Sequence, residues 1–114
     1  MSSSEMLESA KIAIALRTAR AAIGWNQEEF AQLMGVAKTT VARIETLEMS
    51  ARAEFISKAM RLFREAGIEV DLYESQGLPI RISLNAVAKS LDDLKDGSKR
   101  RTDRRIDSGV KLLR

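Results

Sequence analysis

Lys38, Thr39, Thr40 and Arg43 share one short stretch, QEEFAQLMGVAKTTVARIE (residues 27–45), which reads as two short helices hinged at Gly35. The second helix opens with small and basic residues where a structural helix would carry apolar or acidic ones. The planar guanidinium of Arg43 can bond guanine O6 and N7 together, worth ~1–3 kcal/mol of discrimination, and Lys38 can reach the same atoms or a phosphate as a point charge. Thr39 and Thr40 are short enough to let a helix sink into the major groove, and they offer hydroxyls to phosphates or methyls to bases. Arg52, just past this helix, falls where a loop would face a phosphate backbone. The competing reading of Arg43 is a solvated surface charge or a partner for Glu48. Catalysis has no comparable constellation. There is no His and no Cys, and no spacing of Asp, Glu, Ser or Lys suggests an acid–base or nucleophilic site. Neither a metal nor a cofactor is expected.

These side chains need a scaffold. A first helix is expected from Ser4 or Glu5 to about Ile23, with Met6, Leu7, Ala10, Ala13, Ile14, Leu16 and Ile23 on its inner face and Gly24 closing it. Trp25 then reads as a plug at a helix junction rather than a base-stacking ring, because duplex DNA presents no open base face. Asn26 caps a helix from Gln27 to Met34 whose first turn carries Glu28 and Glu29 and whose inner face holds Phe30, Ala31, Leu33 and Met34. Gly35 takes a left-handed turn, and a third helix runs from Lys38 to about Leu47 with Val41 and Ile44 inward. A fourth runs from about Ser50 to Ala66, burying Phe55, Ile56, Ala59, Met60, Leu62 and Phe63; Lys58, Arg61 and Arg64 read as solvated.

The segment ALRTARAAIGWNQEEFAQLMGVAKTTVARIE, with its surroundings from Ile12 to Ala66, resembles the helix-turn-helix domain of the lambda-repressor and Cro (XRE-type) family of bacterial and phage regulators. The resemblance rests on an arginine seven residues before the second-helix glutamine, Ala31 where two helices cross, glycine in the turn, and a recognition helix ending in Ile-Glu. It implies that Arg20 and Glu45 form a structural ion pair, that Gln27 sits beside a phosphate at the start of the second helix, and that Lys38, Thr39 and Arg43 face base edges. Many members carry Ser or Thr where this chain has Ala37, so the side-chain cap of the recognition helix is missing, at a cost of about 1 kcal/mol.

After Gly67 the period changes. Ile68, Val70 and Leu72 alternate with polar residues, a turn-rich stretch follows, and Ile80, Ile82 and Leu84 alternate again, which predicts a β-hairpin with one apolar face. Such a hairpin is marginal alone. Either two subunits associate through it around a two-fold axis, or it covers the fourth helix of its own chain. Asn85 is expected to cap a fifth helix bearing Val87, Leu91 and Leu94. The expected dimer surface comprises Val70, Leu72, Ile80, Ile82, Leu84, Val87 and Leu91. Residues 97–114 hold 7 basic and 2 acidic side chains against 12 and 14 in residues 1–96, so the basic excess sits in the tail. Three uses are open for this tail, in which Ile106, Val110 and Leu113 could align on a short induced helix: a DNA arm, a partner-binding peptide, or a solvated extension.

The expected fold is mainly α with a small C-terminal β-hairpin: a four-helix domain over residues 1–67, hairpin and short helix over 68–96, and a basic tail over 97–114. At 114 residues, 45% hydrophobic but 4% aromatic, one aliphatic core is the limit. The first residues carry no basic, apolar leader and no run approaches a membrane span, so a cytoplasmic, nucleoid-associated location is expected. The function expected is a homodimeric, sequence-specific regulator that reads a palindromic double-stranded DNA operator and represses a nearby promoter, its own among the candidates. The alternatives are an antitoxin-type regulator whose C-terminal region binds a protein, and an interaction module that has kept the scaffold without its DNA face.

Overall fold

In the computed structural model, which describes residues 2–96, the chain runs α1 (Ser3–Ile23), α2 (Gln27–Met34), α3 (Lys38–Glu45), α4 (Ala53–Glu65), β1 (Ile68–Val70), β2 (Ile80–Ile82), α5 (Leu84–Lys95). Local chemistry fixes most boundaries. Ser2 accepts from the Glu5 N–H while the Glu5 carboxylate takes the Ser2 N–H, and Asn26 and Glu29 repeat this reciprocal cap on α2. Gly35, at φ 73°, ends α2 in the left-handed conformation and reverses the chain into α3.

The core is built where α1–α4 converge. Leu16, Phe30, Val41, Phe63 and Ile68 are fully buried, with Ala19, Ala31 and Ala59 between them. Phe30 and Phe63 stack at 5.4 Å, Phe55 meets Phe30 edge-on, and Trp25 stacks on Phe30 at 6.0 Å, half-buried. Trp25 thus closes the α1–α2 junction, as a plug would.

Several apolar residues expected inside are outside. Met6, Leu7 and Ile14 are exposed, whereas Ala13, Ala15 and Ala19 are buried. The reason is close helix crossing, which selects small side chains at the contact, and a 21-residue helix that is ~30 Å long outruns the core at its N-terminal end. Leu33 is exposed too, on the outer flank of α2. Helix α3 stops at Glu45 rather than Leu47, because Leu47 turns to φ 65°. Helix α4 starts at Ala53 rather than Ser50, with Arg52 in the cap position and no side-chain cap. Lys58 is not solvated: its ammonium donates to the Met34 carbonyl at 3.2 Å, at the C-terminal end of α2, where a cation complements the helix dipole.

The hairpin is shorter than the alternation implied. β1 and β2 pair antiparallel with Ile68 opposite Ile82 and Val70 opposite Ile80. Leu72 lies beyond β1, and Leu84 is the first residue of α5, not part of a strand. Ser83, not Asn85, caps α5: its hydroxyl accepts from the Ala86 N–H, while its own N–H donates to the Gly67 carbonyl. Packing β1 on α4 buries Ile68 in the shared core and sets Val70 and Ile80 against it. The apolar face of the hairpin therefore covers its own chain. Lys11 ties the connection between the strands to α1 by donating to the carbonyls of Leu72 and Glu74. No helix among the described residues is long and apolar enough to cross a membrane. The tail considered above, with Ile106, Val110 and Leu113, lies outside the described residues.

Candidate nucleic-acid interface

Helix α3 has two faces of opposite character. Val41, Ile44 and Glu45 are buried, while Lys38, Thr39 and Arg43 are exposed. Helical spacing stacks positions 41, 44 and 45 on one side and turns 39 and 43 to the other, while Lys38, the first residue of the helix, stands exposed in its first turn. Ala37 has the extended backbone of an N-cap, φ −72° and ψ 149°, with no side-chain hydrogen bond.

The inner face is locked by an ion pair. Arg20 Nε donates to Glu45 Oε2 and Arg20 Nη2 to Glu45 Oε1, both at 3.0 Å, while Nη1 takes the Trp25 carbonyl at the end of α1. Glu45 is 3% exposed, so this carboxylate is held by charge-assisted bonds away from water. Gln27 Nε2 also donates to Glu45 Oε1, at 3.0 Å. One carboxylate thereby joins α1, the first residue of α2 and the last residue of α3. The Gln27 amide, expected beside a phosphate, is engaged inside the protein, and sequence reasoning gave no signal for that bond.

On the outer face, the guanidinium of Arg43 makes no hydrogen bond or ion pair among the described residues. Glu48 accepts from Thr46 Oγ1 instead, and its N–H donates to the Arg43 carbonyl. Thr40 is half-buried and lines a groove with Val36, Met49, Arg52 and Phe55 between α3 and α4. Arg52 is exposed at the mouth of α4, on the same groove as Thr40. The structure thus brings Thr39 and Arg43 together on one exposed face of α3, leaves Lys38 exposed in its first turn, adds Thr40 and Arg52 at the edge, and ties half-buried Gln27 to Glu45. The groove beside them is apolar and open. Among the described residues no three His, Cys, Asp or Glu side chains stand close enough to hold a metal ion.

Of the seven residues expected on a dimer surface, Val70 and Ile80 pack against the protein's own core, and Leu72 is half-buried. Within one copy, then, the hairpin turns its apolar face to its own core. Ile82, Leu84, Val87 and Leu91 are exposed.

Residues 16–66 match the family model for the helix-turn-helix, covering the C-terminal third of α1 through the end of α4. No curated protein and no solved structure matches the chain. With a buried Arg20–Glu45 lock behind α3 and exposed Lys38, Thr39 and Arg43 before it, residues 16–66 form a lambda-repressor-like (XRE-type) helix-turn-helix domain, the type that DNA-binding transcriptional regulators carry.

Proposed function

We propose that the protein is a sequence-specific regulator that binds double-stranded DNA as a pair of copies, lays α3 of each into the major groove, and represses transcription by occupying a palindromic operator. The observation that carries this reading is the outer face of α3. Lys38, Thr39 and Arg43 stand exposed and without side-chain partners among the described residues on a helix whose other face is anchored in the core. A donor set of this kind is what base edges and phosphates require. Arg43 discriminates guanine, Lys38 and Thr39 read or brace the adjoining positions, and Arg52, with Thr40 beside it, contacts the backbone. Gln27 Nε2 keeps a second N–H beside the one it gives to Glu45, and that donor can serve a phosphate while the bond to Glu45 stands. In this division, residues 1–67 read DNA and residues 68–96 bring two copies together.

Selection of bound duplexes from a random pool, followed by titration of the selected and a random duplex over a salt series, tests the reading. Expected are a steep inverse salt dependence and a preference of at least ~10³ for the selected sequence. A preference near unity, or no binding at low salt, overturns it.

A further inference from the structure

Helix α5 leaves a row of apolar side chains outside the core. Leu84, Val87, Leu91 and Leu94 are 85, 50, 53 and 55% exposed, and exposed apolar rows of this kind mark contact surfaces in soluble proteins. The helix docks by a different side: Ala86 packs against the core, and Ser90 Oγ donates to the Ala22 carbonyl at 3.3 Å. Its last turns are acidic. Asp92, Asp93 and Asp96 stand there against Lys95, and the carbonyl end of the helix adds partial negative charge. Lys89 engages Asp93 at 3.6 Å, while Asp92 is exposed.

We propose that the chain covers this row itself, residues 104–113 folding back as a helix antiparallel to α5. The spacing of the two segments matches. Ile106, Val110 and Leu113 follow one another at four and three residues, one face of a helix, and α5 read backwards offers Leu94, Leu91 and Val87 at three and four. Reversal therefore sets Ile106 beside Leu94, Val110 beside Leu91 and Leu113 beside Val87. The charges match in the same orientation. Residues 99–105 carry Lys99, Arg100, Arg101, Arg104 and Arg105 against the single Asp103, and folding back brings them to the acidic end of α5. A parallel arrangement would carry them away from it. The connection is of the right kind: Asp96 already has extended backbone, ψ 120°, Gly97 and Ser98 suit a turn, and Asp103 is a competent cap for a helix opening at Arg104. Residues 97–103 fall within the ~2–8 residues usual between packed helices. Gly109 weakens such a helix in isolation, so docking and helix formation come together. A tether this short sets an effective concentration on the order of mM, so a contact too weak to hold between separate molecules is populated within one chain. The inference goes beyond the DNA reading and bears on it at one point: a second copy seeking the same row would have to displace this strap.

Hydrogen–deuterium exchange of the full chain without DNA, read by mass spectrometry over roughly 1–100 µM, is the test. The expected result is protection of the amides of residues 104–113 at least ~10-fold above that of an unstructured peptide, the same at every protein concentration. Leu91→Lys and Val110→Lys each abolish it, while protection of α1–α4 in the same spectra stays at the parent level and shows that the fold is kept. Met6→Lys, on the other exposed apolar patch, leaves it intact. Absence of protection throughout marks a solvated extension, and protection that grows with concentration marks a contact between copies. Protection that appears only on adding duplex DNA marks a DNA arm, and loss on Met6→Lys but not on Leu91→Lys puts the segment on the other patch. Each of these four results overturns the inference.

Discussion

Arg20 and Glu45 are joined by two parallel hydrogen bonds of 3.0 Å across the base of the recognition helix, with the carboxylate 3% exposed. The pair links residues 25 positions apart in the chain. It sets how far α3 stands out from α1. A third bond, from Gln27 to the same carboxylate, fixes the start of α2 against the end of α3, so the hinge at Gly35 is closed from both sides.

Replacing Glu45 with Ala leaves Arg20 partly buried without its counter-charge and Gln27 without its acceptor. The expected loss is about 3–5 kcal/mol in urea denaturation, the range for breaking one side of a buried pair. Glu45→Gln keeps the shape and one acceptor oxygen and should cost less than Glu45→Ala. An unchanged midpoint for Glu45→Ala would show that the pair contributes nothing net.

Arg43 and Arg52 are both exposed arginines, yet their positions predict different losses. Arg43 lies on the outer face of α3, so Arg43→Ala should cost ~1–3 kcal/mol on the selected duplex and flatten preference at one base pair. Arg52 precedes α4 at the edge of the groove, so Arg52→Ala should weaken all sequences alike and reduce the salt slope by about one. Titrations of both variants on selected and random duplex decide the assignment. Equal effects on the two duplexes from Arg43→Ala would move the base contact elsewhere.

Ala37 occupies an N-cap with the right backbone and no acceptor. Ala37→Ser should therefore stabilise the protein by about 1 kcal/mol, because the hydroxyl can take an N–H that α3 leaves unpaired. Chemical denaturation reads the gain directly. A neutral or negative result would mean that solvent already satisfies this end of the helix.

The parts of the fold written in adjacent residues were legible, and those that depend on a distant partner were not. Asn26, Glu29 and Gly35 define α2 by contacts within a turn, so its limits follow from sequence. Helix α1 is rich in alanine, and an alanine can face either way. The expected face held Met6, Leu7 and Ile14, which are exposed, as well as Ala13 and Leu16, which are buried, and the crossing helices added Ala15 and Ala19. Ser83 and Asn85 are both competent caps. The pairing of Ser83 N–H with the Gly67 carbonyl, 16 residues earlier, decided between them. On α3, the exposure of Thr39 and Arg43 followed from helical spacing once the helix was placed, and that of Lys38 from its place in the first turn. The inward turn of Gln27 did not, because it needs the exact position of Glu45 from another helix.

That Gly67–Ser83 junction makes the last prediction. Gly67 has φ 92°, and a Cβ there would fall deep inside van der Waals contact with Ser83 Oγ and 3.0 Å from the Ala86 Cβ. Ser83 cannot withdraw freely, since its hydroxyl caps α5 and its N–H is bonded to the Gly67 carbonyl. Gly67→Ala therefore combines left-handed strain, ~1–2 kcal/mol, with displacement of the α5 cap, ~0.5–2 kcal/mol, for a total of roughly 1.5–4 kcal/mol. Gly77→Ala is the matched control: its Cβ would meet nothing within 4 Å and its φ is not positive, so a change within about ±0.5 kcal/mol is expected. Urea denaturation of the two variants side by side gives the comparison. Comparable midpoints would mean that the hairpin and α5 can shift against α4 without cost, and the seating of α5 on α1 and α4 would have to be looser than the Ser83 and Ser90 bonds imply.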